Sequence, residues 1–372
     1  MIIEITIEPD YILSDSDKLI LINISMSHKE ASHFFICKPN NFELLYNQVN
    51  DERLIQSSLL SILKQTRQSL AIIQSVAVVT RVIFGNNIIK DNIDEDGKCI
   101  RIYSQHYIKG TKELLPVVIL AENDTDADFY HKLGRIYSED KLGGTHIYLN
   151  TEHVGGGGDT TAGVFSKLHS QYHFRPFYCI VDSDKAHPRQ PHFGGTARKI
   201  IQKSLLNSDL SNHYSILDMM ELENILPAAI IEMVNNSDNE QRSAAYADSI
   251  TNLYNMEQSH HDSYLFLDLK KGITFKEAVK LDRSHGAFWL RERWGTIRDE
   301  CRQQNDCHCN PCCHIIRKGP DGLLEKSLET IQDKSLNEIK TMIPPHLWNL
   351  WEHYGKIIFT WGCSRPNSIH AL

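Results

Sequence analysis

The stretch Phe177–Lys185, "FYCIVDSDK", runs through apolar residues and ends in two aspartates separated by a serine. A short apolar run bounded by polar residues reads as a buried strand. The carboxylates at its end are either a pair that holds a metal ion or the caps of a turn. An isolated Asp-X-Asp is more often a cap, so the neighbouring sequence has to decide.

Working outward, "LPVVILAE" from Leu115 is a second buried strand, and "DADFYHKLGRIY" places Phe129, Leu133 and Ile136 on one helical face. "THIYLN" predicts a strand, and "TAGVFSKLHSQY" aligns Val164, Phe165, Leu168 and Tyr172 as a helix. After the opening stretch come a helix in "TARKIIQKSLL", a strand in "HYSIL" and a helix in "ELENILPAAIIEMV". Such alternation predicts an α/β fold, a mostly parallel sheet flanked by helices. Ligands of such sheets sit outside the carboxyl ends of the strands. Glu122, the loop Gly155 to Asp159, Asp182 with Asp184, and Glu221 with Glu223 each follow one of the four strands. A carboxylate recurs at the same topological position in three loops, which favours metal binding over turn formation.

Carboxylates on separate loops suit Mg2+ or Mn2+, which take oxygen ligands and keep several waters. Glu122, Asp126, Asp182, Asp184 and Glu223 are the candidate ligands, with Glu221 competing for the last place. Asp124 and Asp128 read as helix N-terminal residues favoured by the dipole. "GGGGDTTAG" lacks the Gly-Lys-Ser/Thr ending of a P-loop; it either turns backbone amides toward a phosphate or packs strand tightly against helix.

The ordered set "VVILAENDTDADF", "HVGGGGD", "FYCIVDSDK" and "ILDMMELENIL" resembles the TOPRIM domain shared by topoisomerases, bacterial primases, recombination proteins and the OLD family of nucleases. The likeness covers roughly Leu114 to Val234. It implies a TOPRIM-like sheet in which Glu122, Asp182 and Asp184 hold Mg2+ or Mn2+, Asp126 and Glu223 assist, and a lysine near the metals, for which Lys271 of "LDLKKG" is the candidate, steadies charge on phosphate. It further implies a metal-dependent endonuclease acting on DNA or RNA, an effector of bacterial antiphage defence, and a separate ATPase or sensor chain as partner in an oligomer or complex. Asn123 stands where TOPRIM sequences often carry glycine. That departure favours the competing reading, a catalytically inactive subunit that binds nucleic acid or a partner.

The expected organisation is an N-terminal α+β domain (residues 1–112), a TOPRIM-like domain (113–235) and a C-terminal helical region with a zinc cluster (236–372). In the first, "MIIEITI", "KLILINI" and "HFFIC" read as strands, Glu52 to about Ile83 as helix, and "IDEDGKCIRIYSQHYI" as a hairpin turning at Asp-Gly. In the last, "CRQQNDCHCNPCCH" crowds Cys301, Cys307, His308, Cys309, Cys312, Cys313 and His314. Thiolates and imidazoles at this density describe a structural Zn2+ site. Cys309 and Cys312 have knuckle spacing, with Cys301, Cys307 and His314 as further donors, and the spacing leaves open which four bind. Arg291, Arg293, Arg298, Arg302, Arg317 and Lys318 accompany Phe288, Trp289 and Trp294, which suits either a nucleic-acid strand or a salt-bridged helix over buried aromatics.

The 372 residues with 41% hydrophobic content bury a sizeable core, while a net charge of -8 gives no general attraction to nucleic acid, so any such contact is local. The start lacks a basic region followed by an apolar core, and no apolar run is of membrane length. A cytoplasmic protein without a membrane partner is expected.

Overall fold

The computed structural model describes residues 1–69, 73, 76, 78–86, 90–95, 98–143, 147–171, 176–206, 213–237, 244–291 and 294–365. It is an α/β protein with two largely parallel sheets. The first has the order β2-β1-β3-β5-β4, from β1 (Ile2–Ile7), β2 (Phe34–Cys37), β3 (Val78–Phe84), β4 (Lys90–Glu95) and β5 (Lys98–Ser104). β1 runs parallel to β2 and β3, and β3 parallel to β5; the expected hairpin β4–β5 is the antiparallel pair. Its Asp-Gly turn lies outside the described residues.

Two expectations for this part are corrected. "KLILINI" lies in a helix, Asp15–Lys29, whose buried Ile20, Leu21, Ile24 and His28 recur at three-to-four spacing. Its start is fixed by a capping box between Ser14 and Asp17, which satisfies amide donors that a strand would pair with a neighbour. The helix expected from Glu52 to about Ile83 is Arg53–Gln68, and the β-branched run "VVTRVIF" beyond it is β3.

The second sheet is all parallel in the order β10-β9-β6-β8, from β6 (Val117–Ala121), β8 (Thr151–Gly155), β9 (Phe177–Val181) and β10 (Tyr214–Ile216). Every residue of the central β6 and β9 is buried, as befits strands covered on both faces. The expected second strand, "THIYLN", is displaced: the strand in this sheet is "TEHVG", and β7 (Tyr148–Leu149) pairs with β13 (Cys363–Ser364) near the chain's end. The closing helix Pro345–Gly362 packs on Asp124–Leu142, where Gly355 and Gly134 bring the two helices close. Trp351 stacks edge-on against Phe129 and donates through Nε1 to Ile225 O at 2.7 Å, tying the closing helix to the loop after β10.

In the C-terminal region, β11 (Ile273–Thr274) pairs with β12 (His314–Ile316). No helix among the described residues is long and apolar enough to cross a membrane.

Candidate metal centres

Three loops at the carboxyl ends of β6, β9 and β10 bring their carboxylates to one edge. Glu122 directly follows β6. Its Oε1 is buried without a hydrogen-bond partner. Asn123 is the N-cap of the helix Asp124–Leu142: its Oδ1 accepts from Asp126 N at 2.9 Å, and Asp126 Oδ2 accepts from Asn123 N at 3.3 Å. With φ at -141° the position makes no use of glycine's freedom, so the residue that departs from the TOPRIM pattern serves as a cap. Asp126 thus caps the helix with one oxygen and, buried, faces Glu223 electrostatically.

The glycine loop after β8 is used internally. Gly156 N donates to Ala121 O at 2.8 Å, and Gly157 N and Gly158 N to Glu122 O at 2.9 and 3.2 Å. A Cβ on Gly155 would meet Asp124 Oδ1 at 2.7 Å. The loop therefore packs against the Glu122 backbone, and these amides are not free for a phosphate. Asp159 turns outward to Lys199 at 2.8 Å.

After β9, Asp182 Oδ1 accepts from Leu222 N at 3.1 Å, joining this loop to the one after β10. Asp184 takes left-handed backbone, φ 53°, and its amide donates to Met220 O at 3.0 Å. A Cβ on Gly194 would lie 1.8 Å from Asp184 Oδ2. Gly194→Ala must displace the Asp184 carboxylate. It is expected to weaken divalent-ion binding at least about tenfold and, because the Asp184 Cβ would also lie 2.4 Å away and moves only with its backbone, to lower the melting temperature by a few degrees, read by titration calorimetry and thermal unfolding.

In the third loop, Asn224 is fully buried and donates to Tyr264 O at 2.9 Å and Leu267 O at 2.7 Å while accepting from Glu221 N at 2.8 Å. That network sets the turn Leu222–Ile225, so Glu221 and Glu223 both enter the cluster. Lys270 spans them, 2.9 Å from Glu223 Oε1 and 3.4 Å from Glu221 Oε2. Lys271, the candidate from the sequence, instead pairs with Asp268 at 2.9 Å, so the lysine on the carboxylates is its neighbour. The pair "KK" gave no means of choosing between them.

Crowded acids raise one another's affinity for protons. Burial first, then Asp184, pushes the Glu122 carboxyl up to about 7. Burial and Glu223 push Asp126 up to about 6, and burial pushes Glu221 up to about 7 against the pull of Lys270. Asp182 is raised well above the carboxylate range by burial, then by Glu223, Glu122, Asp126 and Glu221. Burial works against the charge of Lys270, but Glu223 and Glu221 overcome it and hold the ammonium on. Lys270 pairs with two of these carboxylates, and among the described residues no three of the carboxylates bring oxygens within 4.8 Å of one another.

The second centre is sulfur. Cys301, Cys307, Cys309 and Cys313 place their Sγ atoms all within 4.8 Å of one another, a spacing that can hold a metal such as zinc. Cys301 Sγ lies 3.6, 3.4 and 3.9 Å from the other three. Cys312 and His314, expected as donors, stand outside this group, and Cys313, left out of the expected set, is inside it. Cys312 Sγ turns toward Cys313 O at 3.6 Å, while the Cys313 amide donates to Cys307 Sγ at 3.2 Å. Knuckle spacing favours Cys312, but the thiol that joins the group is that of its neighbour Cys313.

The aromatic residues nearby are core. Trp289 and Trp294 are 0% and 4% exposed; Trp289 Nε1 donates to Ala186 O and Trp294 Nε1 to Trp289 O. Their rings are not available for base stacking, and Arg293 lies outside the described residues.

The chain matches no protein-family model, no curated protein and no solved structure.

Proposed function

We propose that the protein is a TOPRIM-type nuclease that cleaves phosphodiester bonds of DNA or RNA with Mg2+ or Mn2+. The observation that carries this reading is the placement of Glu122, Asp182 with Asp184, and Glu221 with Glu223 at the ends of three adjacent parallel strands, with Lys270 paired to Glu221 and Glu223. The donor chemistry suits a hard divalent ion, being all oxygen on separate loops with the buried Glu122 Oε1 unpartnered, and an ion would have to draw these carboxylates together. Glu122, Asp182 and Asp184 would hold it, with Glu223 and Asp126 beside them. A bound ion of this kind supplies Lewis-acid stabilisation of the charge that develops on a phosphate under attack.

The chain's own residues do the rest. Lys270, kept cationic by Glu221 and Glu223, stands where it can pair with a phosphate oxygen. Glu122 would offer its unpartnered oxygen to the ion, and its raised proton affinity belongs to the metal-free cluster, where protons compete with the ion for that place. The Asn224 network fixes the Glu221–Glu223 turn, so its role is positioning. The resemblance to the OLD family adds a separate ATPase or sensor chain and a role in antiphage defence.

The test is cleavage of plasmid DNA and bulk tRNA in Mg2+ or Mn2+ by the wild-type chain and Glu122→Gln. Loss of about 10³-fold in rate by the variant is expected, since removing an electrostatic or proton-transfer group costs this much. No cutting by the wild type, also with its ATPase partner present, overturns the reading.

A further inference from the structure

The cysteine module borders a cavity that the cleavage chemistry does not use. Its volume is about 190 Å3, and it lies between the helix Ala244–Ser259, the loop before Asp299–Gln304 and the strand β12. Arg298, Arg317, His314, Thr296, Ser249 and Asp248 are among its lining residues.

The hydrogen-bond bookkeeping of these groups favours an anion. Arg298 and Arg317 are exposed and make no ion pair among the described residues. Ser249 Oγ accepts from Arg317 N at 2.8 Å, and Thr296 Oγ1 accepts from Asn252 Nδ2 at 3.1 Å. Each hydroxyl thus has an acceptor role filled and a proton left to donate. His314 Nδ1 is buried with no partner. Guanidinium forks and hydroxyl protons together suit a tetrahedral oxyanion. Asp248 is the contrary charge, and beside an oxyanion it suits a hydroxyl donor on the same ligand, as on a sugar. The volume falls below the roughly 300–1,000 Å3 of a site for a whole drug-sized ligand, so it takes a phosphate and part of its sugar while a base stays outside.

We propose that this cavity binds a phosphate of a polynucleotide strand, holding substrate at a distance from the carboxylate edge. The polynucleotide as source rests on the function proposed above; the phosphate chemistry does not.

The experiment uses the full, zinc-loaded chain in an Asp182→Asn background, which separates binding from cutting. Anisotropy of a labelled single-stranded oligonucleotide is followed against salt for Arg298→Gln, Arg317→Gln and the double variant, with zinc content measured on each. Expected is an affinity loss of at least about tenfold in the double variant and a salt slope shallower by about 1.4, the release expected for two phosphate contacts on a single strand, with zinc retained. Arg298 is the N-cap of the helix that carries Cys301, so Arg317→Gln alone is read should the double variant shed zinc. Competition by inorganic phosphate but not by chloride of equal ionic strength supports the site, and preference for a 5′-phosphorylated over a 5′-hydroxyl strand places a strand end there. Unchanged affinity and slope in both single variants overturn the proposal. Phosphate binding that the variants abolish while strand binding stays intact overturns its polynucleotide half.

Discussion

Asp182→Asn is expected to abolish cleavage and at the same time to raise the melting temperature of the metal-free protein. Asp182 sits in the middle of the acidic edge, opposed by Glu223, Glu122, Asp126 and Glu221. Burial and these neighbours oppose its ionisation, so the fold bears the cost of keeping it protonated; asparagine carries no such cost and keeps an oxygen to accept from Leu222 N. A gain of a few degrees follows. The pH dependence has a definite sign. Between about 4.5 and about 7 the folded chain keeps protons on Glu122 and Glu221 that the unfolded chain has released, so stability falls as pH rises through this window. Mg2+ or Mn2+ at 100 times its dissociation constant adds about 2.7 kcal/mol, and it does so above pH 7, where protons no longer compete. Thermal unfolding at pH 5 and pH 8, with and without metal, reads both effects. A wild-type melting temperature that rises from pH 5 to pH 8 without metal, or one that metal leaves unchanged at pH 8, contradicts the arrangement.

The parallel α/β architecture of the second sheet was legible because its strands are short, buried on both faces and interrupted by helices with a clear apolar stripe. Each acid then followed its strand by counting alone. What could not be read was which neighbour faces inward: Lys270 or Lys271, Cys312 or Cys313. Adjacent residues differ only in direction, and direction is set by the Asp268–Gly272 turn and by the bend between Cys309 and Cys313. Asn123 was legible as a cap from "NDTD" but was weighed as a missing glycine. In the first sheet, the apolar alternation of "LILINI" outweighed the cap "SDSD", although a helix start explains both. The "VVTRVIF" strand was absorbed into the preceding helix because a continuous apolar run has no period of its own.

Cys301→Ser is expected to have the largest effect on the fold and to reach the acidic edge as well. Four thiolates around zinc contribute on the order of 10 kcal/mol to folding in small metal-dependent modules, and this part of the chain has only short secondary elements to replace them. A drop in melting temperature of about 10 °C or more, with loss of bound zinc, is the expected outcome, whereas Cys312→Ser keeps one zinc per chain and near wild-type stability. The consequence travels through the backbone. Phe275 N donates to Cys313 O at 2.8 Å, so the cysteine loop holds the end of β11. Just before β11, Gly272, at φ 74°, fits under Ile316 O so closely that a Cβ would lie 2.4 Å from it. That glycine closes the turn from Asp268 that presents Lys270 to Glu221 and Glu223. Releasing zinc is therefore expected to loosen the lysine that pairs with Glu221 and Glu223, and chelation by a zinc-selective reagent should lower cleavage even in saturating Mg2+. Zinc bound with equal affinity by Cys301→Ser, or zinc lost from Cys312→Ser, would show that a different set of sulfurs holds the ion.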